Sequence, residues 1–249
     1  MSGHSHSANI ARRKNAVDAQ RAKIFSRCAK AVMSAVRQGG PDPAQNLKLR
    51  YAVEKARVAN MPKDNIERAI KRASGEGAGD IEELVYEGYA SGGVALMVTC
   101  VTDNRNRTAA DIKHIFDKRG GNLGAQGSVA FLFDFRAIYV VEVGDMGEDD
   151  IVEATLESGA DDCIFENDVA TIFGSAADFL DVKKRLEGTG LKFLSAETGY
   201  VPQSTIAISS KDDAAKVMKL IGFLEDNEDV QNVYANYDIP DEWLEELTG

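Results

Sequence analysis

The sequence is poor in the residues that staple small folds or hold metals. Its three cysteines, Cys28, Cys100 and Cys163, lie far apart, are odd in number and form no CxxC pair. That argues against a zinc knuckle or a disulfide framework and fits a reducing compartment. Long apolar runs are also missing. The longest, Val94 to Val101, already contains Thr99; it is far short of the ~20 residues of a membrane helix and reads as a buried strand. No apolar segment follows the basic residues near the N-terminus, so no secretory signal is expected. His4 and His6 have no third ligand nearby, and His114 has no nucleophile beside it. Two acidic clusters, Glu148-Asp149-Asp150 and Glu225, Asp226, Glu228 and Asp229, do not follow the calcium-loop spacing with its central glycine. They read as helix-start charges and solvated turns. The glycines from Gly120 to Gly124 follow a helical stretch and lack both the P-loop lysine and the dinucleotide spacing. With no nucleophile–base constellation either, the expectation is a non-enzymatic protein that needs no metal and no cofactor.

What is present is charge, unevenly distributed. The net charge is −11, which by itself argues against a nucleic-acid partner. Residues 1–79, however, hold sixteen Lys and Arg against six Asp and Glu, while residues 80–249 hold thirteen against thirty-four. Two readings fit this asymmetry. Either the basic segment meets phosphate, or it docks on the protein's own acidic body.

The pattern along the chain predicts an α+β protein with an N-terminal three-helix domain followed by two α+β domains, one a ferredoxin-like insertion in the other. The expected boundaries are 1–79 for the basic helical domain, 80–135 with 203–249 for a discontinuous middle domain, and 136–202 for the insertion. Residues 1–14 read as an irregular arm ending in Arg12-Arg13-Lys14. The first helix, from about Asn15 to Gln38, gathers Phe25, Cys28, Val32 and Val36 on one face. Lys23, Arg27, Lys30 and Arg37 form a basic ridge on the other. Asp42 is the expected N-cap of a second helix with Leu47, Tyr51, Ala52 and Ala56 as its inner stripe. A third helix from Pro62 buries Ile66, Ala69, Ile70 and Ala73. Strands are expected at Leu84–Tyr89, Val94–Thr102 and Val129–Phe135, with a helix over 106–119 between the last two. From Ala137 to Tyr200 the elements alternate as β-α-β-β-α-β, the ferredoxin-like order. A strand at Thr205–Ser209, a helix over Asp212–Glu225 and a strand at Val230–Tyr237 then return to the middle sheet.

The basic ridge and the Arg12–Lys14 arm suit phosphate neutralisation, which needs several cations on one surface. Arg105 and Arg107 flank the start of the 106–119 helix, for which Asn106 is the expected cap. Cations there oppose the helix dipole unless an anion binds between them and the amide groups. Pairing with Asp103 and Asp111 is the competing reading.

Several segments together resemble the YebC/PmpR family, which includes the mitochondrial translational activator of cytochrome oxidase subunit I. They are Gly3-His4-Ser5, Ala8-Asn9-Ile10, the run Ala59-Asn60-Met61-Pro62-Lys63-Asp64-Asn65-Ile66-Glu67-Arg68-Ala69-Ile70, Tyr86-Glu87-Gly88-Tyr89, Thr102 through Thr108, and Gly120 through Gly124 with Gly127-Ser128-Val129. The resemblance runs nearly end to end. It implies a three-domain α+β protein and a DNA-binding transcriptional regulator. It also implies an alternative role in translation, through ribosomal RNA or the ribosome. A protein partner for the acidic domains is a further expectation; a membrane partner is not. Family members carry a lysine and a tryptophan where this chain has His6 and Ser7, so the arm lacks an aromatic that could stack on a base. Because the motif begins at Gly3, with no room for a transit peptide, a cytoplasmic bacterial protein is expected.

Overall fold

The computed structural model describes residues 19–75, 81–144 and 146–248. It is mixed α+β and divides into two compact units: Leu132–Thr205, and the described residues on either side of that segment, up to Phe131 and from Ile206. Among the described residues, no helix is long and apolar enough to cross a membrane.

The split unit begins with three helices, α1 (Ala19–Gly39), α2 (Leu47–Val58) and α3 (Lys63–Ser74). Cys28, Val32, Ala35 and Val36 of α1 pack against Leu49, Ala52, Val53 and Ala56 of α2 and Ile66, Ala69 and Ala73 of α3. Small alanines at these contacts let the helix axes approach closely. The second helix starts later than Asp42 predicts. The Asp42 side chain accepts from the Ala44 amide within a preceding turn, and the N-cap is Asn46. The Asn46 side chain is buried. It accepts from Leu49 N at 3.0 Å and donates to the carbonyls of Ala35 and Gly40 at 2.8 Å each. One amide thus caps α2 and satisfies the end of α1. The later start rotates the stripe, so Leu47 is 40% exposed and Leu49 and Val53 are buried in its place. At the next corner Asn60 takes a left-handed conformation with φ of 59°, which asparagine tolerates better than most residues.

After the helices come β1 (Glu82–Tyr89), β2 (Ala95–Thr102), α4 (Arg105–Lys118) and β3 (Asn122–Leu123). From Ile206 the same unit continues with β8 (Ile206–Ala207), α7 (Lys211–Asp226), β9 (Val230–Ala235), β10 (Tyr237–Asp238) and α8 (Asp241–Thr248). The sheet order is β3-β1-β2-β9, antiparallel throughout, with a register shift between Thr99 and Cys100. Strand β2 is central and buried on both faces, the physical reason for the run Val94–Val101, apolar but for Thr99. Ile112 and Phe116 of α4 and Val217, Leu220 and Leu224 of α7 share one core with it. Each such side chain stabilises the fold by about 1.5–3 kcal/mol when fully buried. Gly88 permits the closest approach, since a Cβ there would stand 2.6 Å from the Asn122 carbonyl oxygen and 2.7 Å from the Phe116 ring.

The second unit runs β4 (Phe133–Glu142), α5 (Glu148–Ser158), β5 (Asp162–Glu166), β6 (Val169–Ser175), α6 (Phe179–Gly188) and β7 (Lys192–Pro202). Its antiparallel order β5-β6-β4-β7 is that of a ferredoxin-like sheet. Three local readings change. Val129–Phe135 is not a separate strand: Ala130–Leu132 is a 3-10 turn, and Phe133 begins β4. The Thr205–Ser209 strand shrinks to the two residues of β8, paired in parallel with β10. Helix α8, absent from the sequence reading, buries Leu244 in the core of the split unit.

Candidate nucleic-acid interface

Helix α1 presents Lys23, Arg27 and Lys30 on the face opposite its apolar stripe, but that face does not point into solvent. It docks on the α7–β9 turn. Lys23 Nζ meets Asp226 Oδ1 at 2.8 Å. Arg27 donates to the Glu225 carbonyl oxygen. Lys30 donates to Asp229 Oδ1 at 2.8 Å and to the Glu228 carbonyl at 2.9 Å. The physical reason is the end of α7. Its last carbonyls lack helical partners and carry the negative end of the dipole, next to four acidic side chains. The outward ridge expected from the sequence is therefore corrected, and the acidic cluster is a docking site rather than a solvated turn.

Asp229 is the centre of this contact and is 3% exposed. Besides Lys30, it accepts from Arg107 at 2.9 Å and 3.1 Å and from Thr108 Oγ1 at 2.8 Å. Burial by itself would raise its carboxyl pKa. The hydrogen bonds from Lys30, Arg107 and Thr108 outweigh burial and hold it at about 2. A second lock lies on β1, where Glu83 accepts from the buried Ser34 at 2.7 Å and from Lys48. Burial opposes ionisation there too, and the bonds from Lys48 and Ser34 overcome it, so the Glu83 carboxyl is lowered.

The 102–108 loop follows the pairing reading, with Asp103 as expected and two further partners, Asp229 and Glu82, that the sequence did not suggest. Arg107 bridges Asp103, at 3.0 Å, and Asp229, while Arg105 reaches Glu82 at 3.3 Å. Neither has Asp111 as an ion-pair partner among the described residues. The N-cap is Asn104, whose side chain accepts from Arg107 N at 3.1 Å; Asn106 lies inside the helix. Arg105 and Arg107 keep 67% and 47% of their side-chain surface exposed. Arg37 lies exposed in the last turn of α1, where a cation suits the dipole. Arg12, Arg13 and Lys14 fall outside the described residues.

With the α1 ridge engaged, the exposed cations of the helical segment lie on α2 and α3. They are Lys48, Arg50, Lys55, Arg57, Lys63, Arg68, Lys71 and Arg72, beside Arg37 at the end of α1. Arg57 and Lys63 sit near acids of their own helices, at 4.0 Å from Glu54 and 3.5 Å from Glu67. Arg50, Lys71 and Arg72 have no ion pair among the described residues. Sequence reasoning missed this face because periodicity singled out the longer helix. The available signal was the run Ala59–Ile70, which builds the α2–α3 corner and the start of α3. No group of three or more His, Cys, Asp or Glu side chains among the described residues could hold a metal.

Two family models match this chain. The model of the TACO1/YebC protein N-terminal domain covers residues 5–76, and that of the TACO1/YebC second and third domain covers residues 81–237. The chain belongs to the TACO1/YebC family. A relative from Halothermothrix orenii is 48% identical over all of this chain and 99% of its own length. One from Rubrobacter xylanophilus is 45% identical over the full length of both chains. Both carry the name "Probable transcriptional regulatory protein". A crystal structure of a conserved hypothetical protein from Aquifex aeolicus superposes with a TM-score of 0.83 at 44% identity, covering 92% of this chain and 94% of that one. Among family members, then, this chain falls with relatives named as regulators.

Proposed function

We propose that this protein is a non-enzymatic, cytoplasmic regulator that binds DNA through its N-terminal helical segment, with the outer face of α2 and α3 as the principal contact. One observation carries the reading. Arg50, Arg68, Lys71 and Arg72 stay exposed on α2 and α3, while Lys23, Arg27 and Lys30 are held by Asp226, Glu225 and Asp229. The names of the relatives support a regulatory role. Backbone phosphates are the natural targets of such a face, because each neutralised phosphate releases condensed counterions. The Arg12-Arg13-Lys14 segment extends the same basic character, and Arg105 and Arg107 are secondary anchors.

Titration of duplex DNA at two salt concentrations tests this. The triple substitution R68E/K71E/R72E should lower the salt slope by about three units and leave the fold intact, since all three side chains are exposed. The triple substitution K23E/R27E/K30E should instead lower the melting temperature, because it sets acids against the α7 terminus. Unchanged affinity and slope in the first variant would remove α2 and α3 from the interface.

A further inference from the structure

A second basic surface lies away from the N-terminal helices. Between the end of α4 and the last turn of α7 is a cleft of about 350 Å³ lined by His114, Ile115, Lys118, Arg119 and Phe223. Phe223 is 37% exposed, and the Arg119 guanidinium lies over its ring, 3.4 Å from the centroid. Lys219 is exposed one helical turn from Phe223.

The charges here are unlike those around them. In residues 81–131 and 206–248, Arg105, Arg107, Lys113, Lys211 and Lys216 each have a carboxylate partner. Among the described residues of those segments, Lys118, Arg119 and Lys219 have none; Lys118 and Arg119 line the cleft, and Lys219 stands one helical turn from Phe223. Asp117, the acid next to Lys118, is already engaged with Lys113 at 2.7 Å.

We infer that this cleft binds an unpaired nucleotide of single-stranded nucleic acid. The base would stack against the Arg119–Phe223 pair, with Lys118, Lys219 and His114 near the flanking phosphates. The chemistry is that of single-strand recognition, in which an aromatic or guanidinium plane takes the base and nearby cations follow the backbone. This is a different ligand from the duplex proposed for α2 and α3, and it does not depend on that reading.

The test is fluorescence anisotropy of the full chain with labelled oligouridylate of about ten nucleotides, a length within the usual single-strand site range, beside the matching oligodeoxythymidylate and an abasic strand of equal charge. F223A should weaken binding on the order of tenfold, the typical loss of one stacked base. F223Y should restore it, and K118E, at an exposed position, should weaken it without touching the core. The abasic strand should bind like F223A with the intact strand. R68E/K71E/R72E should keep the difference between wild type and F223A even where duplex binding falls, which separates the two sites. Preference for the ribose or the deoxyribose strand identifies the source of the nucleotide. Equal affinity of wild type, K118E and F223A for the oligomers, or full affinity for the abasic strand, would overturn the inference.

Discussion

Replacing Asp229 by alanine should lower the stability of the split unit by about 2–3 kcal/mol. Breaking a buried ion pair by removing one partner typically costs ~3–5 kcal/mol. Here Arg107 is 47% exposed, and water recovers part of that loss. Lys30 and Thr108 would still lose an acceptor at a site where Asp229 itself is buried. In a thermal scan the shift should be roughly 4–12 °C. D229N should fall between wild type and D229A, because it keeps an acceptor but not the charge. The pH dependence has a defined sign. The folded carboxyl sits at about 2, below its unfolded value of ~3.9. Its contribution is complete above about pH 4 and disappears as pH falls through 2. D229N should remove that part of the acid transition. A stability of D229A equal to wild type would show that Asp229 does not hold α1 to the sheet.

Replacing Glu87 by alanine should cost about 3 kcal/mol or more. Glu87 is buried on β1, and its carboxylate accepts from the amides of Gly127 and Val129 at 2.7 Å and Ala130 at 2.8 Å. Burial opposes its ionisation, and the three backbone bonds outweigh that, so its pKa is lowered. Alanine would leave three amide donors without an acceptor, each costing ~1–3 kcal/mol where water cannot replace it. Urea unfolding should show the midpoint fall with an unchanged slope. E87Q should recover part of the loss, since one amide oxygen still accepts. Neither substitution should alter the duplex binding proposed for the α2–α3 face. An unchanged midpoint in E87A would show that the 124–130 loop is anchored elsewhere.

Glu87 also illustrates what a motif can conceal. Tyr86-Glu87-Gly88-Tyr89 and Gly127-Ser128-Val129 both carried the family resemblance, yet nothing in either segment announces that one binds the other. The pairing joins residues forty and more positions apart, and alternation of burial along β1 says only that a carboxylate faces inward. Gly88 behaves alike: its need for a bare Cα comes from the Asn122 carbonyl and the Phe116 ring, neither of which is local.

Much of the architecture was legible in local chemistry. The three- and four-residue spacing of Cys28, Val32 and Val36 set the buried face of α1. The β-α-β-β-α-β alternation after Phe133 set the ferredoxin-like unit, and the Asn167-Asp168 turn closed its hairpin with Asn167 at a φ of 50°. The start of α2 was misplaced because Asp42-Pro43 is a good local cap, whereas Asn46 prevails through bonds to Ala35 and Gly40, residues of a different helix turn.

The sequence alone determined the element order, the inner faces of the helices and strands, the polarity of charge between residues 1–79 and the remainder, and membership of a family. These follow from periodicity and composition, which act over a few residues or over the whole chain. The tertiary structure alone decided which basic surface is spent internally. Lys23, Arg27 and Lys30 look no different in sequence from Arg68, Lys71 and Arg72. Only the folding of a segment two hundred residues away brings the α7 terminus, Asp226 and Asp229 to the first set and leaves the second exposed. Charge pairing is short-ranged, with a screening length of about 8 Å at physiological salt, so it is set by positions in space and not by order along the chain.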